Sequence, residues 1–415
     1  MEQSTYVSSA AMGGTFGELA DPKTDSPITD TVSKIVLSIL CSAMYFTRRR
    51  NFAILDKRKQ AYHNSYLDSE DSARSSDELL WYDPENNDDP QNYNSASKHQ
   101  PKRRTCCGCA IYTPNTSQFS DHVHSRILQK FPFLIEMFYW IITYLFYRMT
   151  KVLSQAIFTK SIIDVARAHG LAVLDFEQFS FLSFLFPWKE HNVQHWFMDG
   201  HQDALTILNR AYALIHIPGT VGFIAWYYYI APSHSTFATA RRTLTLTNLF
   251  AFLSFTLYPC MPPRLLPPEF GFLDSVRHDN ATSIWMSGNF VNSLAAMPSM
   301  HFGYAFVIGC TMFYHAGIFR RTLEKGETRK NWGWKLVYMA IGLGYPSFIL
   351  ITIVATANHY WMDAVMAVIV ACAAYLCNGI FLALLPLEDL LLWTLRLNKP
   401  IPSTGERFRQ RGGKL

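Results

Sequence analysis

The sequence predicts an all-α polytopic membrane protein, a six-helix transmembrane core with one further candidate segment near the N-terminus. Three observations predict it. Hydrophobic residues make up 49% of the 415 positions and charged residues 17%, where a soluble domain carries about 25% charged residues. Charge is crowded between residues 48 and 130 and thin inside long apolar blocks. Those blocks approach the roughly 20 residues with which a helix crosses about 30 Å of hydrocarbon.

In order along the chain, 1–27 is a polar N-terminal tail without the charged start, apolar core and cleavage site of a signal peptide. Residues 28–46 form the extra candidate segment, interrupted by Asp30 and Lys34. Residues 47–125 are expected to be cytosolic and largely disordered, because the polar stretch 68–100 holds too few aliphatic residues to fold alone. The catalytic domain is expected over 126–390, with spans near 131–147, 212–230, 243–260, 302–319, 336–356 and 362–385. Pro218 and Pro346 fall inside two of them, which membrane helices tolerate when neighbours satisfy the freed carbonyls. Trp226 and Tyr227, Tyr228 and Tyr229 suggest an aromatic belt. A basic tail, 391–415, closes the chain.

Basic residues orient the spans. The loop 320–335, "RRTLEKGETRKNWGWK", is strongly positive and is expected in the cytosol. The tail agrees two crossings later, and Arg241 and Arg242, before the third span, agree as well. The segment ends holding Arg264, His301 and His359 then face one non-cytosolic compartment. A formal charge of +5 with no basic face of interleaved aromatics argues against a nucleic-acid partner.

The eight cysteines form no disulfide framework. Cys106, Cys107 and Cys109, in "TCCGCA" after a basic run, suit palmitoylation. No second cysteine pair follows at zinc-ligand spacing.

Chemistry concentrates in two places, "AAMPSMHFGYAF" and "ANHYWMDAVMAV". Each sets ionisable groups at the mouth of an apolar run, which is costly without a reason. His359 and Asp363 are four apart, so a helix would place them on one face. The carboxylate would then hold Nδ1 and leave Nε2 as base or nucleophile. His301 would donate a proton to a leaving oxygen. Arg264, in the proline-rich "YPCMPPRLLPPEFGFLDS", would grip phosphate oxygens. Ser299 suits either phosphate binding or a helix cap, and serine favours the cap. His191 and His195, with Asp199, His201 and Asp203 nearby, invite a metal reading but lack a firm ligand motif. No metal and no cofactor is expected.

These motifs resemble the second and third signatures of the type 2 phosphatidic acid phosphatase (PAP2) superfamily. "YPCMPPRLLP" followed by "GFLDS" is similar to its branch of fungal inositol phosphorylceramide synthases, the inositolphosphotransferases. The resemblance, over 131–385, implies His359 as nucleophile, Asp363 as its orienting partner, His301 as acid and Arg264 as phosphate ligand. Two departures stand out. The Lys-x6-Arg-Pro first motif of the phosphatases is missing, and Ile353 occupies the place of an arginine six residues before the nucleophile. Fewer cations suit a phosphodiester better than a phosphomonoester dianion, although Arg167, Arg210 or Lys160 would restore charge if they reached the site.

The expected activity is head-group transfer between membrane lipids, one as donor and one as acceptor, on the lumenal side of the secretory pathway (Golgi or endoplasmic reticulum). A lipid phosphate or diphosphate phosphatase is the alternative, and a non-enzymatic membrane scaffold is the second. Nothing in the sequence specifies a regulatory subunit.

Overall fold

The structure, a computed structural model, describes residues 27–50, 52–55, 101–106, 109–157, 162–179, 183–275, 294–318, 320, 322, 327 and 329–405. Among them the fold is helical. Its α-helices are α1 (Pro27–Thr47), α2 (Val123–Lys130), α3 (Phe133–Ile157), α4 (Ile162–Phe179), α5 (Glu190–Met198), α6 (Gln202–Leu214), α7 (His216–Ile230), α8 (His234–Leu257), α9 (Met300–Ala316), α10 (Trp332–Ala355), α11 (Trp361–Leu376) and α12 (Leu385–Thr394).

The centre of the bundle is α8, α9, α10 and α11, with α3 against α8 and α1 against α7. The most extensive packing, between α9 and α10, needs two glycines. A Cβ on Gly309 would lie 2.5 Å from the Gly342 carbonyl oxygen and 2.7 Å from Pro346 Cγ. Small residues let helix backbones meet in this way, and Pro346 is accommodated inside α10 beside them.

α10 is the one helix among the described residues that is by itself long and apolar enough to cross a membrane. The pair Trp361–Leu376 and Asn378–Thr394 qualifies jointly, with a 48° bend between its parts. The expected 212–230 span is divided at Ile215, where α6 ends and α7 begins. The helix α8 starts at His234, nine residues ahead of the expected span.

Arg241 and Arg242 accordingly lie within a helix and not in a loop. Arg241 Nη1 donates to both oxygens of the buried Glu136 carboxylate, at 2.8 and 2.6 Å, and Arg242 Nε donates to Asn378 Oδ1 at 2.8 Å. An anionic partner on α3 and an amide oxygen beyond α11 thus receive donors that a hydropathy scan counts against a span.

Further differences concern the ends of the bundle. A β-hairpin, β1 (Lys102–Cys106) against β2 (Cys109–Thr113), qualifies the all-α expectation and folds part of the 47–125 stretch. Its anchor is Asp389 on α12, which accepts from Arg104 Nε at 2.9 Å and Thr113 Oγ1 at 2.9 Å. That partner is nearly 300 residues away in sequence, so local composition gives no hint of it. Residues 68–100, expected to be disordered, lie outside the described residues, as does Cys107.

The basic tail is packed as far as residue 405. Arg49 Nη2 donates to the Ile401 carbonyl at 2.8 Å, and Ser403 Oγ donates to the Thr47 carbonyl at 2.7 Å. Tyr227 and Tyr228 are 1% exposed and belong to the core, with the Tyr228 hydroxyl accepting from Ser403 N. Only Tyr229 of the three tyrosines faces outward, so the aromatic triplet does not form a belt.

Candidate active site

The site is built where α10 ends and α11 begins. Ala357, fully buried, adopts φ 50°, a left-handed conformation that costs a residue with a Cβ. Its neighbours hold it there. The N–H groups of Asn358 and His359 both donate to the Ile353 carbonyl, at 3.0 and 3.2 Å. The Ala357 carbonyl accepts the Arg264 N–H at 2.9 Å, which ties this turn to the proline-rich loop. Tyr360, the N-cap of α11, sends its hydroxyl to the Met261 carbonyl at 2.9 Å. Gly170 of α4 makes room for that bond, since a Cβ there would lie 2.9 Å from the Tyr360 hydroxyl.

His359 therefore precedes α11, and its pairing with Asp363 arises from helix capping and not from a shared helical face. Asp363, three residues beyond the N-cap, reaches back so that Oδ2 accepts the Tyr360 N–H at 3.0 Å and contacts His359 Nδ1 at 3.1 Å. The same nitrogen lies 2.8 Å from the Ala296 carbonyl. Two acceptors converge on Nδ1, so that nitrogen carries the hydrogen and Nε2 keeps its lone pair. Asp363 is 0% exposed and His359 4%.

His301 lies in the first turn of α9. Ser299 caps that helix, its Oγ accepting the Phe302 N–H at 3.3 Å, and its N–H donates to the Asp363 carbonyl at 3.0 Å. The cap uses the hydroxyl as an acceptor and leaves its hydrogen to donate. The His301 and His359 rings are 6.1 Å apart between centroids. Tyr212 stacks on His301 at 4.2 Å, and His216 meets its ring at 4.4 Å. Sequence reasoning missed Tyr212 and His216; their spacing of four on neighbouring helices was the available signal.

Arg264 reaches the same site through its N–H, which donates to the Ala357 carbonyl just ahead of His359. Its Nη1 donates to both carboxylate oxygens of Asp274, at 2.9 and 3.0 Å, while its buried Nε has no partner among the described residues. Ile353, at the position of the missing arginine, is fully buried. Arg167 and Arg210 are exposed, Arg167 lying 3.9 Å from Asp164, and Lys160 lies outside the described residues.

The histidine-rich segment is arranged for packing. His191 and His195 rings lie 4.2 Å apart, His195 Nε2 contacts the Gly271 carbonyl at 3.2 Å, and His201 stacks on Trp196 at 3.9 Å. Among the described residues no three His, Cys, Asp or Glu side chains are grouped to hold a metal.

Residues 173–323 match the family model of the PAP2 superfamily. The match takes in Arg264, Ser299 and His301 and ends before His359 and Asp363. Members of that superfamily are generally phosphatases or phosphotransferases, an activity class that the histidine pair suits. No curated protein and no solved structure gave a match.

Proposed function

We propose that this protein is an integral membrane phosphotransferase that moves a phospho-head group between lipids, as inositol phosphorylceramide synthases do. The observation that carries the reading is His359 Nδ1 set between the Ala296 carbonyl and the Asp363 carboxylate, with the His301 ring 6.1 Å away. In the proposed cycle Nε2 attacks the donor's phosphorus and the bond from phosphorus to the leaving alkoxide breaks. His301 gives that oxygen its proton. The acceptor hydroxyl then returns a proton to His301 and attacks the phosphohistidine, which frees His359. Asp363 stabilises positive charge on the attacking ring, and Arg264 Nε with the Ser299 hydroxyl holds phosphate oxygens.

The scarcity of cations favours a phosphodiester donor. Arg264 has one nitrogen committed to Asp274, and Ile353 supplies no charge. Exposed apolar residues on α10 (Leu336, Ile341, Leu343, Ile351) and on α3 (Ile141, Ile142, Leu145) fit a lipid-facing surface. The basic loop and tail favour a cytosolic placement of the opposite end, with the site in the lumen of the secretory pathway.

Purified protein incubated with labelled phosphatidylinositol, with and without ceramide, tests the reading. Label moving to ceramide supports transfer. Free inositol phosphate whether or not ceramide is present would assign a phosphodiesterase, and turnover confined to phosphomonoester lipids would assign a phosphatase.

A further inference from the structure

Two buried glutamates that this chemistry leaves unused lie against the start of α11. Glu177, near the end of α4, accepts the Met362 N–H through Oε1 at 2.6 Å. Glu190, the first residue of α5, accepts the Trp361 N–H through Oε1 at 3.3 Å. With Asp363 accepting from Tyr360, three successive N–H groups at this helix start meet three different carboxyl groups. Such donors have no partner inside the helix, and the helix end favours negative charge.

Three full negative charges in one buried place would repel one another. Glu177 and Glu190 are 3% and 1% exposed and accept from adjacent N–H groups of one turn, which makes their carboxyl groups neighbours. Glu177 Oε2 is buried with no donor facing it from the described groups. A proton on that oxygen would remove its need for a donor. Burial first, then Glu190, push the Glu177 carboxyl well above the usual carboxylate range. Asp363 acts on it in the same direction, and Tyr360 and Cys260 are the other titratable groups facing it.

We propose that Glu177 and Glu190 are positioning residues that clamp the first turn of α11, holding Asp363 and His359 in register for attack on phosphorus. The inference rests on the phosphotransfer reading for its purpose and on the hydrogen bonds for its geometry. Glutamine at 177 preserves the clamp, because its carbonyl accepts from Met362 and its amide donates to Glu190. Alanine removes it.

The test compares full-length wild type, E177Q and E177A in detergent by two readouts. In turnover, E177Q should stay within about threefold of wild type, while E177A should lose about tenfold in kcat with KM unchanged, as for a lost cap on the catalytic turn. In carbethoxylation of His359 by diethyl pyrocarbonate, followed by mass spectrometry, E177A should react several-fold faster and E177Q at the wild-type rate. If E177A does not accumulate, E177D, which withdraws the acid by one methylene, takes its place. Equal His359 reactivity in all the proteins, or an E177Q protein as impaired as E177A, overturns the clamp. A wild type inactive on every lipid phosphate, with the carbethoxylation contrast intact, counts against the phosphotransfer reading and supports the clamp.

Discussion

Arg264 Nη1 donates to both carboxylate oxygens of Asp274, at 2.9 and 3.0 Å, and its buried Nε has no partner among the described residues. A guanidinium so held is fixed by one nitrogen and able to bind with another. An ammonium on a flexible stem cannot do both. Arg264→Lys should therefore lower kcat/KM by roughly ten- to a hundredfold, the loss of one charge-assisted contact worth about 1.5–3 kcal/mol. Initial rates against lipid concentration check it, and a wild-type rate would remove Arg264 from the phosphate.

Asp363 has two tasks that a substitution can separate. Asparagine still accepts the Tyr360 N–H through its carbonyl, so α11 keeps its start. It supplies no negative charge to the His359 ring. Asp363→Asn should fold and insert as wild type does and lose on the order of a hundredfold or more in kcat. Limited proteolysis alongside turnover checks both halves, and an active Asp363→Asn protein would leave the carboxylate with a structural task only.

Tyr212 stacks on His301 at 4.2 Å. Phenylalanine keeps the stacked ring and alanine does not, so the two variants isolate the stack from the hydroxyl. Tyr212→Phe should retain activity within about twofold. Tyr212→Ala should lose roughly three- to tenfold, from a ring pair worth about 0.5–1.5 kcal/mol. Turnover at saturating lipid distinguishes them.

How much was legible in the sequence depends on distance along the chain. His301, His359 and Asp363 stood out because each sits in a short motif at the edge of an apolar run. Glu177 and Glu190 did not, because their partners lie 185 and 171 residues away, and only packing of α4 and α5 against α11 gives them meaning. The same holds for Asp389 and the hairpin. The spacing of His359 and Asp363 was read correctly as a contact and for the wrong reason, since an N-terminal cap and a helical face both join residues a few positions apart. Helix starts were misplaced where Thr-rich turns and paired arginines, as in α8, lowered the hydropathy of residues that are helical in the bundle.

The contact of Gly309 with Gly342 gives a stability prediction. A Cβ on Gly309 would lie 2.5 Å from a backbone oxygen, so α9 and α10 must separate to admit it. Gly309→Leu should lower the melting temperature in detergent, with a cost of about 1–3 kcal/mol or more from overpacking. Gly344→Ala, on the same helix as Gly342 but with nothing within 4 Å of its added carbon, should leave it unchanged. Thermal unfolding of the two variants beside wild type checks the pair.

In the proposed cycle His359 becomes covalently phosphorylated through Nε2. Acid-labile phosphohistidine decays quickly, so the protein should be quenched into alkali within seconds of mixing with labelled phosphatidylinositol and without acceptor. Peptide mass spectrometry then locates the label. Inositol phosphate is expected on His359 in the wild type, absent from His359→Ala and discharged when ceramide is added. Turnover by the wild type with no label on His359, or label carried by another residue, would contradict that cycle.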